Sequence, residues 1–190
     1  MYEVFQQYIN SRASISADEF GIIRAKSTLK KLRKKQFLLQ EGDVWKYHAF
    51  ITKGCLRTYA IDNKGIEHII QFTCENWWTG DRESLLSGNP SKYNIDAIED
   101  AEVILMTIPD FELFCKTIPG FNDMVNAILA KSFVTSQNRI HAAISLTAEE
   151  KYKNFLEQYP EFASRVPQSM IASYLGITPE TLSRVRKQKK

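Results

Sequence analysis

Apolar residues change their period twice along this chain, and the changes divide it into helical, β and helical stretches. The first 25 residues carry Val4, Phe5, Tyr8 and Ile9 at helical spacing. Ser16 and Glu19 then form a capping-box pattern ahead of Phe20, Ile22 and Ile23. From about Ser27 to Ile108 the period is two. Candidate strands are Gln36–Gln40, His48–Thr52, Leu56–Ile61, Glu67–Phe72, Tyr93–Ala97 and Glu102–Thr107. Turn signals separate them at Glu41-Gly42-Asp43, Lys53-Gly54, Thr79-Gly80-Asp81 and Ser87-Gly88-Asn89-Pro90, with Asp62-Asn63-Lys64-Gly65 the clearest hairpin. Short strands spaced in this way predict an antiparallel barrel or jelly roll. Beyond Ile108 the helical period returns. Pro109 opens a short helix through Phe114, and Pro119 a longer one over roughly Gly120 to Ser145. On the latter, Ala130, Phe133, Gln137, Ile140 and Ile144 follow 3-4-3-4 spacing, a modest coiled-coil seam thinned by Gln137. Packing within one subunit is the alternative. A second capping box, Thr147 with Glu150, starts a helix whose stripe is Tyr152, Phe155, Leu156 and Tyr159, and Pro160 ends it. A linker near Ser164–Pro167 follows.

The last 23 residues, Gln168 to Lys190, have the spacing of a helix-turn-helix. Ile171, Ala172 and Leu175 form one apolar face, and Ala172 is small enough for two helices to cross closely. Gly176 sits where a tight corner needs positive φ. Ile177 fills the corner, Thr178 suits an N-cap and Pro179 the first helical turn. Leu182 and Val185 point back. The outward face is then Glu180, Thr181, Ser183, Arg184, Arg186 and Lys187, a polar face with hydrogen-bonding capacity.

Charge singles out the same region. Val166–Lys190 holds five basic residues and one acid, net +4, whereas the preceding 165 residues hold 20 basic and 21 acidic ones. A local basic excess is the footprint of contact with nucleic-acid phosphates. A second basic run, Arg24, Lys26, Lys30, Lys31, Arg33, Lys34 and Lys35, reads as the solvated face of a helix end and an edge strand, where lysines block unwanted pairing. The 190 residues, 44% hydrophobic, suffice for one medium domain and one small one. Three scattered cysteines supply neither a disulfide framework nor zinc spacing. With no signal peptide and no apolar run of membrane-spanning length, a cytoplasmic protein with no membrane contact is expected. An enzyme is not: β-rolls that hold catalytic metals need clustered ligands, and His48 and His68 lie isolated on different strands, so no catalytic residue and no metal site is assigned.

A β-roll, a long helix and a terminal helix-turn-helix in this order resemble the CRP/FNR family of bacterial transcription regulators. The resemblance covers roughly residues 25 to 188. It rests most specifically on Leu175-Gly176-Ile177-Thr178-Pro179-Glu180-Thr181-Leu182-Ser183-Arg184, and also on Glu41-Gly42-Asp43, Lys53-Gly54 and Gly80-Asp81. It implies an α+β fold with an N-terminal β-roll or jelly roll (a double-stranded β-helix) over residues 1–118 and a long dimerisation helix over 119–146. A winged-helix-like DNA-binding domain over 147–190 completes it. The chain stops directly after the second helix, where family members usually continue into a wing. Lys187, Lys189 and Lys190 are expected to replace part of the wing's phosphate contacts.

The resemblance further implies a homodimer on double-stranded DNA with an inverted-repeat site, RNA polymerase as a partner, and an effector in the β-roll. Glu180, Ser183 and Arg184 match the family's base-reading positions, supported by Thr178, Thr181, Arg186 and Lys187. Family members that bind cyclic AMP hold its ribose with a Gly-Glu pair and its phosphate with an Arg-Ser pair. The matching positions here are Gly80-Asp81 and Ser91-Lys92, with Arg82 close in sequence. Lys lacks the bidentate fork of Arg, so a cyclic nucleotide is disfavoured and the effector stays unidentified. Trp77 and Trp78 are candidates to line an apolar pocket, with ordinary core packing the stronger alternative. No cysteine group fits an iron–sulfur cluster, and the spacing of His48, His68 and His141 argues for no haem. A small-molecule or cyclic-nucleotide sensor with weak or no DNA binding is the alternative function.

Overall fold

A computed structural model describes residues 2–188. In chain order its elements are α1 (Tyr2–Asn10), α2 (Ala17–Ala25), β1 (Ser27–Leu32), β2 (Phe37–Leu39), β3 (Tyr47–Lys53), β4 (Leu56–Ile61), β5 (Glu67–Thr73), β6 (Trp78–Thr79) and α3 (Arg82–Ser87). There follow β7 (Asn94–Ala97), β8 (Ala101–Thr107), α4 (Ile108–Thr117), α5 (Pro119–Ser145), α6 (Ala148–Gln158), α7 (Phe162–Arg165), α8 (Gln168–Leu175) and α9 (Pro179–Gln188). Two compact units result. One gathers the chain up to Ala60 with Gln71–Leu129; the other gathers Ile61–Ile70 with Ala130–Lys190.

The strands form two four-stranded sheets, ordered β1-β8-β3-β6 and β2-β7-β4-β5. β8 pairs antiparallel with β1 (Leu29↔Ile104) and with β3 (Phe50↔Ile104), and β4 pairs antiparallel with β7 (Arg57↔Asp96). Alternate residues of β3 and β8 serve different cores. Ala49, Ile51, Val103 and Leu105 join Leu39, Trp45, Leu56, Ile95 and Ala97 in one cluster. Phe50, Ile104 and Met106 join Phe5, Tyr8, Ile23, Phe111, Phe114 and Phe121 from α1, α2, α4 and the start of α5 in the other. Strands covered on both faces lose their polar alternation, which is why these two read as nearly continuous apolar runs. The capping box of Ser16 and Glu19 starts α2, as the sequence predicts.

The basic run reaches β1, which is an edge strand, and part of it is paired: Lys26 meets Asp110 at 2.8 Å and Lys31 meets Glu102 at 3.8 Å. Strands β1 and β6 and the short helices α3 and α7 fall outside the sequence-based list. β1 is mostly lysine and polar, and it is a strand because β8 pairs with it. At Gly54 the corner is enforced by space as well as by φ: a Cβ there would lie 2.5 Å from the Asp100 carbonyl oxygen.

In the second unit, Thr147 and Glu150 form the predicted capping box at the start of α6. Phe155 of α6 packs with Phe162 and Tyr174, at ring-centroid distances of 6.2 and 5.5 Å. Ile171, Ala172, Leu182 and Val185 are buried, and both α6 and α8 contact α9. On α5, by contrast, Phe133, Ile140 and Ile144 are 66%, 55% and 80% exposed within a single chain.

Candidate nucleic-acid interface and effector loop

The turn between α8 and α9 is made by backbone chemistry that its residue types select. Gly176 adopts φ 66°, a left-handed conformation that costs a residue with a Cβ, and its N–H bonds back to the carbonyls of Ala172 and Ser173. The Ile177 N–H also reaches the Ala172 carbonyl, at 3.0 Å. Thr178 Oγ1 then accepts the Thr181 N–H at 3.2 Å, and its carbonyl accepts the Leu182 N–H at 3.0 Å, which starts α9. With Leu182 and Val185 buried beneath, Glu180, Ser183, Arg184, Arg186 and Lys187 all stand exposed, and Thr181 is half-buried. Lys189 and Lys190 lie outside the described residues.

The exposed face has internal order. The hydroxyls of Thr178 and Thr181 lie 3.1 Å apart, and the Arg184 guanidinium donates to Thr181 Oγ1 at 3.3 Å. The Glu180 carboxyl is held below the usual carboxylate range, first by its own first-turn N–H, then by Thr178 and by the positive charge of Arg184. An ionised acceptor and a forked donor therefore stand one helical turn apart.

Sequence reasoning missed a second polar cluster in this unit. Ser173 Oγ accepts the Ile69 N–H and donates to the Glu67 carbonyl, both at 3.0 Å. Arg139 lies 4.2 Å over the Tyr174 ring and donates to the Ile70 carbonyl. Burial, foremost, pushes the Tyr174 hydroxyl up to about 12. The available signal was a serine and a tyrosine set between the apolar Ile171-Ala172 pair and Leu175.

The five expected effector residues lie in and beside one loop, but they do not converge on an open pocket. Gly80 has φ 140°, and a Cβ there would run into the Trp45 indole. Asp81 is the buried N-cap of α3, accepting the N–H groups of Glu83 and Ser84 at 2.9 and 3.3 Å. Its other oxygen accepts the Ser91 hydroxyl at 2.7 Å. Lys92 donates to Glu83 at 2.6 Å, and Arg82 is exposed on α3. The cleft lined by Asp81, Ser84, Asn89 and Lys92 measures about 30 Å³. That volume suits a water; small-molecule sites run to hundreds of Å³. Nearby, Arg57 and Asp96 form a bidentate pair at 2.8 and 2.9 Å, which the sequence did not suggest. The ribose and phosphate positions that the resemblance implies, Asp81 and Ser91, are thus hydrogen-bonded to each other.

Trp78 is half-buried against the core: it packs on Phe5, Phe50 and Phe111, and its indole N–H donates to the Tyr8 hydroxyl at 3.2 Å. His48 stacks on Phe111 at 3.6 Å. Burial, then Arg82, lowers its pKa to about 4. His68 meets Asp62 at 3.0 Å on the hairpin. Among the described residues, no three potential metal-ligating side chains gather, and no helix is long and apolar enough to cross a membrane.

Residues 29–117 match the cyclic nucleotide-binding domain. The chain is 23% identical over 168 residues to the transcriptional activator protein anr of Pseudomonas aeruginosa, covering 81% of this chain and 67% of that protein. It thus spans about two thirds of the length of this curated relative. The structure of FixK2 from Bradyrhizobium japonicum has the same fold, with a TM-score of 0.73 at 22% identity over 85% of this chain and 83% of that one. So does CLP of Xanthomonas campestris, described as a c-di-GMP-responsive global regulator, with a TM-score of 0.73 at 13% identity over 92% and 91% of the two chains.

Proposed function

We propose that this CRP/FNR-type transcription regulator works as a homodimer on an inverted-repeat DNA site, each subunit laying α9 in the major groove. The observation that carries this reading is the face of α9. It is backed by buried Leu182 and Val185, and it presents Glu180, Ser183 and Arg184 to solvent with complementary hydrogen-bonding chemistry. Arg184 can bond bidentately to guanine O6 and N7, Glu180 can accept from cytosine N4, and Ser183 can serve either partner. Thr178, Thr181, Arg186 and Lys187 are assigned to the phosphates and to positioning. The exposed seam of Phe133, Ile140 and Ile144 supports pairing of two copies along α5. Twofold symmetry then demands half-sites about one helical turn apart. The cytoplasm is the place for such work, with RNA polymerase as the downstream partner.

A binding-site selection with the full chain tests this. The wild type is expected to enrich an inverted repeat, and Arg184→Ala to relax one guanine position at a cost of about 1–3 kcal/mol per half-site. An identical preference in both proteins would remove Arg184 from the reading face. The alternative, a sensor module without DNA binding, would appear as no salt-dependent shift on any member of the library.

A further inference from the structure

We infer that the Gly80–Lys92 loop is its own ligand: the Asp81–Ser91 bond and the Trp45 indole hold the places of a phosphate-bearing effector, so the β-roll takes no cyclic nucleotide. The inference rests on the family reading above, which assigns the ribose to Asp81 and the phosphate to Ser91-Lys92. Each of these groups is committed. Asp81 Oδ1 is used by two backbone N–H groups of α3 and Oδ2 by Ser91. The hydroxyl of Ser91 also accepts the Tyr93 N–H at 3.0 Å, its own N–H bonds Asp43, and its carbonyl takes the Gly42 N–H. Asp81, Ser84 and Ser91 are each buried to 5% exposure or less. An incoming phosphate would have to break a buried hydrogen bond and then face the freed carboxylate of Asp81 at the point where the family supplies a guanidinium.

The remaining space is also used. Trp45 is buried in the core between the sheets, against Gly80 on one side and in T-shaped contact with Tyr47 at 5.7 Å on the other. Its backbone N–H bonds Ser84 Oγ at 2.9 Å, and Ser84 in turn donates to the Asn89 carbonyl at 2.6 Å. Strand β3's approach, helix α3 and the following turn are thereby tied together by side chains in place of a bound molecule. Lys92, a cation at the phosphate position, is engaged by Glu83, and both side chains are well exposed.

The test uses the purified full chain and three probes at millimolar concentration: cyclic AMP, cyclic GMP and c-di-GMP. Equilibrium dialysis and Tm are read on the protein alone, and Kd on an inverted-repeat duplex with and without each probe. The expected result is no saturable binding, no Tm shift, and a Kd that changes less than about twofold, well under the tenfold that 1.4 kcal/mol represents. Saturable binding of any probe, with or without an effect on DNA, overturns the inference. A lack of DNA binding in every arm, with dialysis still negative, counts against the DNA-reading proposal and leaves the loop inference standing. Ser91→Ala supplies a positive readout. It frees Asp81 Oδ2, so it is expected to lower Tm relative to Ser87→Ala, a control serine of the same loop; equal Tm values would show that the Asp81–Ser91 bond does not hold the loop.

Discussion

Arg184 is exposed, yet its guanidinium is not left to wander. The Thr178–Thr181–Arg184 chain of contacts aims it before any base arrives, which reduces the ordering cost of binding. Thr181→Ala is therefore expected to broaden the preference at the guanine proposed for Arg184, at about 0.5–1 kcal/mol per half-site, with Thr181→Ser restoring it. Competition gel shifts against single-base variants would measure both, and a Thr181→Ala profile equal to wild type would leave the hydroxyl without a positioning role. His48 offers a second residue-level test. Its folded pKa of about 4 lies below the ordinary 6.5, so the folded state favours the neutral ring. Above pH 6.5 both states leave it neutral; as pH falls below 6.5 the unfolded chain gains a proton that the folded chain resists. Stability should fall by about 1–2 kcal/mol between pH 7 and 5, discounted for partial exposure. Urea titrations of wild type and His48→Gln would show it: the variant should have the flatter profile. Lowered carboxylates such as Asp62 and Asp110 act only at lower pH.

Among the elements, the α8–α9 corner depends on one backbone conformation. No atom lies within 4 Å of a Cβ built on Gly176, so Gly176→Ala isolates the cost of φ 66° without a steric clash. A loss of about 1–2 kcal/mol is expected in thermal unfolding, largely recovered by Asn, which tolerates this region. If alanine and asparagine melt alike at the wild-type temperature, the left-handed cap is not needed. Much of this element was legible beforehand: the corner glycine, the Thr178 cap and the paired capping boxes all act within a few residues. α3 was not, because its cap, Asp81, looks in sequence like part of a turn. β1 was equally hidden, since Lys30 and Lys31 obscure its period and only its register with Lys30↔Val103 and Lys31↔Glu102 makes it a strand.

For the whole molecule, the apolar seam of α5 is where the proposed dimer would pair. Phe133, Ile140 and Ile144 are left exposed by a single chain, and an exposed stripe at coiled-coil spacing is stabilised by a matching copy. Ile140→Glu combined with Ile144→Glu is expected to give monomers in sedimentation equilibrium where the wild type gives dimers. DNA affinity should drop with it, because each half-site then binds alone. A wild type that sediments as a monomer at micromolar concentration would remove the seam's role.

The sequence by itself determined the order of helical and β stretches, the caps, the corner at Gly176 and the identity of the exposed face of α9. Those features depend on periodicity and on φ preferences that reach only a few residues along the chain. What the tertiary structure decided is the state of the effector loop. Asp81 and Ser91 are ten positions apart, Arg57 and Asp96 thirty-nine, and Trp45 meets Gly80 from another part of the roll. Whether a polar side chain is open to a ligand or already satisfied depends on which distant partner folding brings within hydrogen-bond reach, and local spacing carries no record of that.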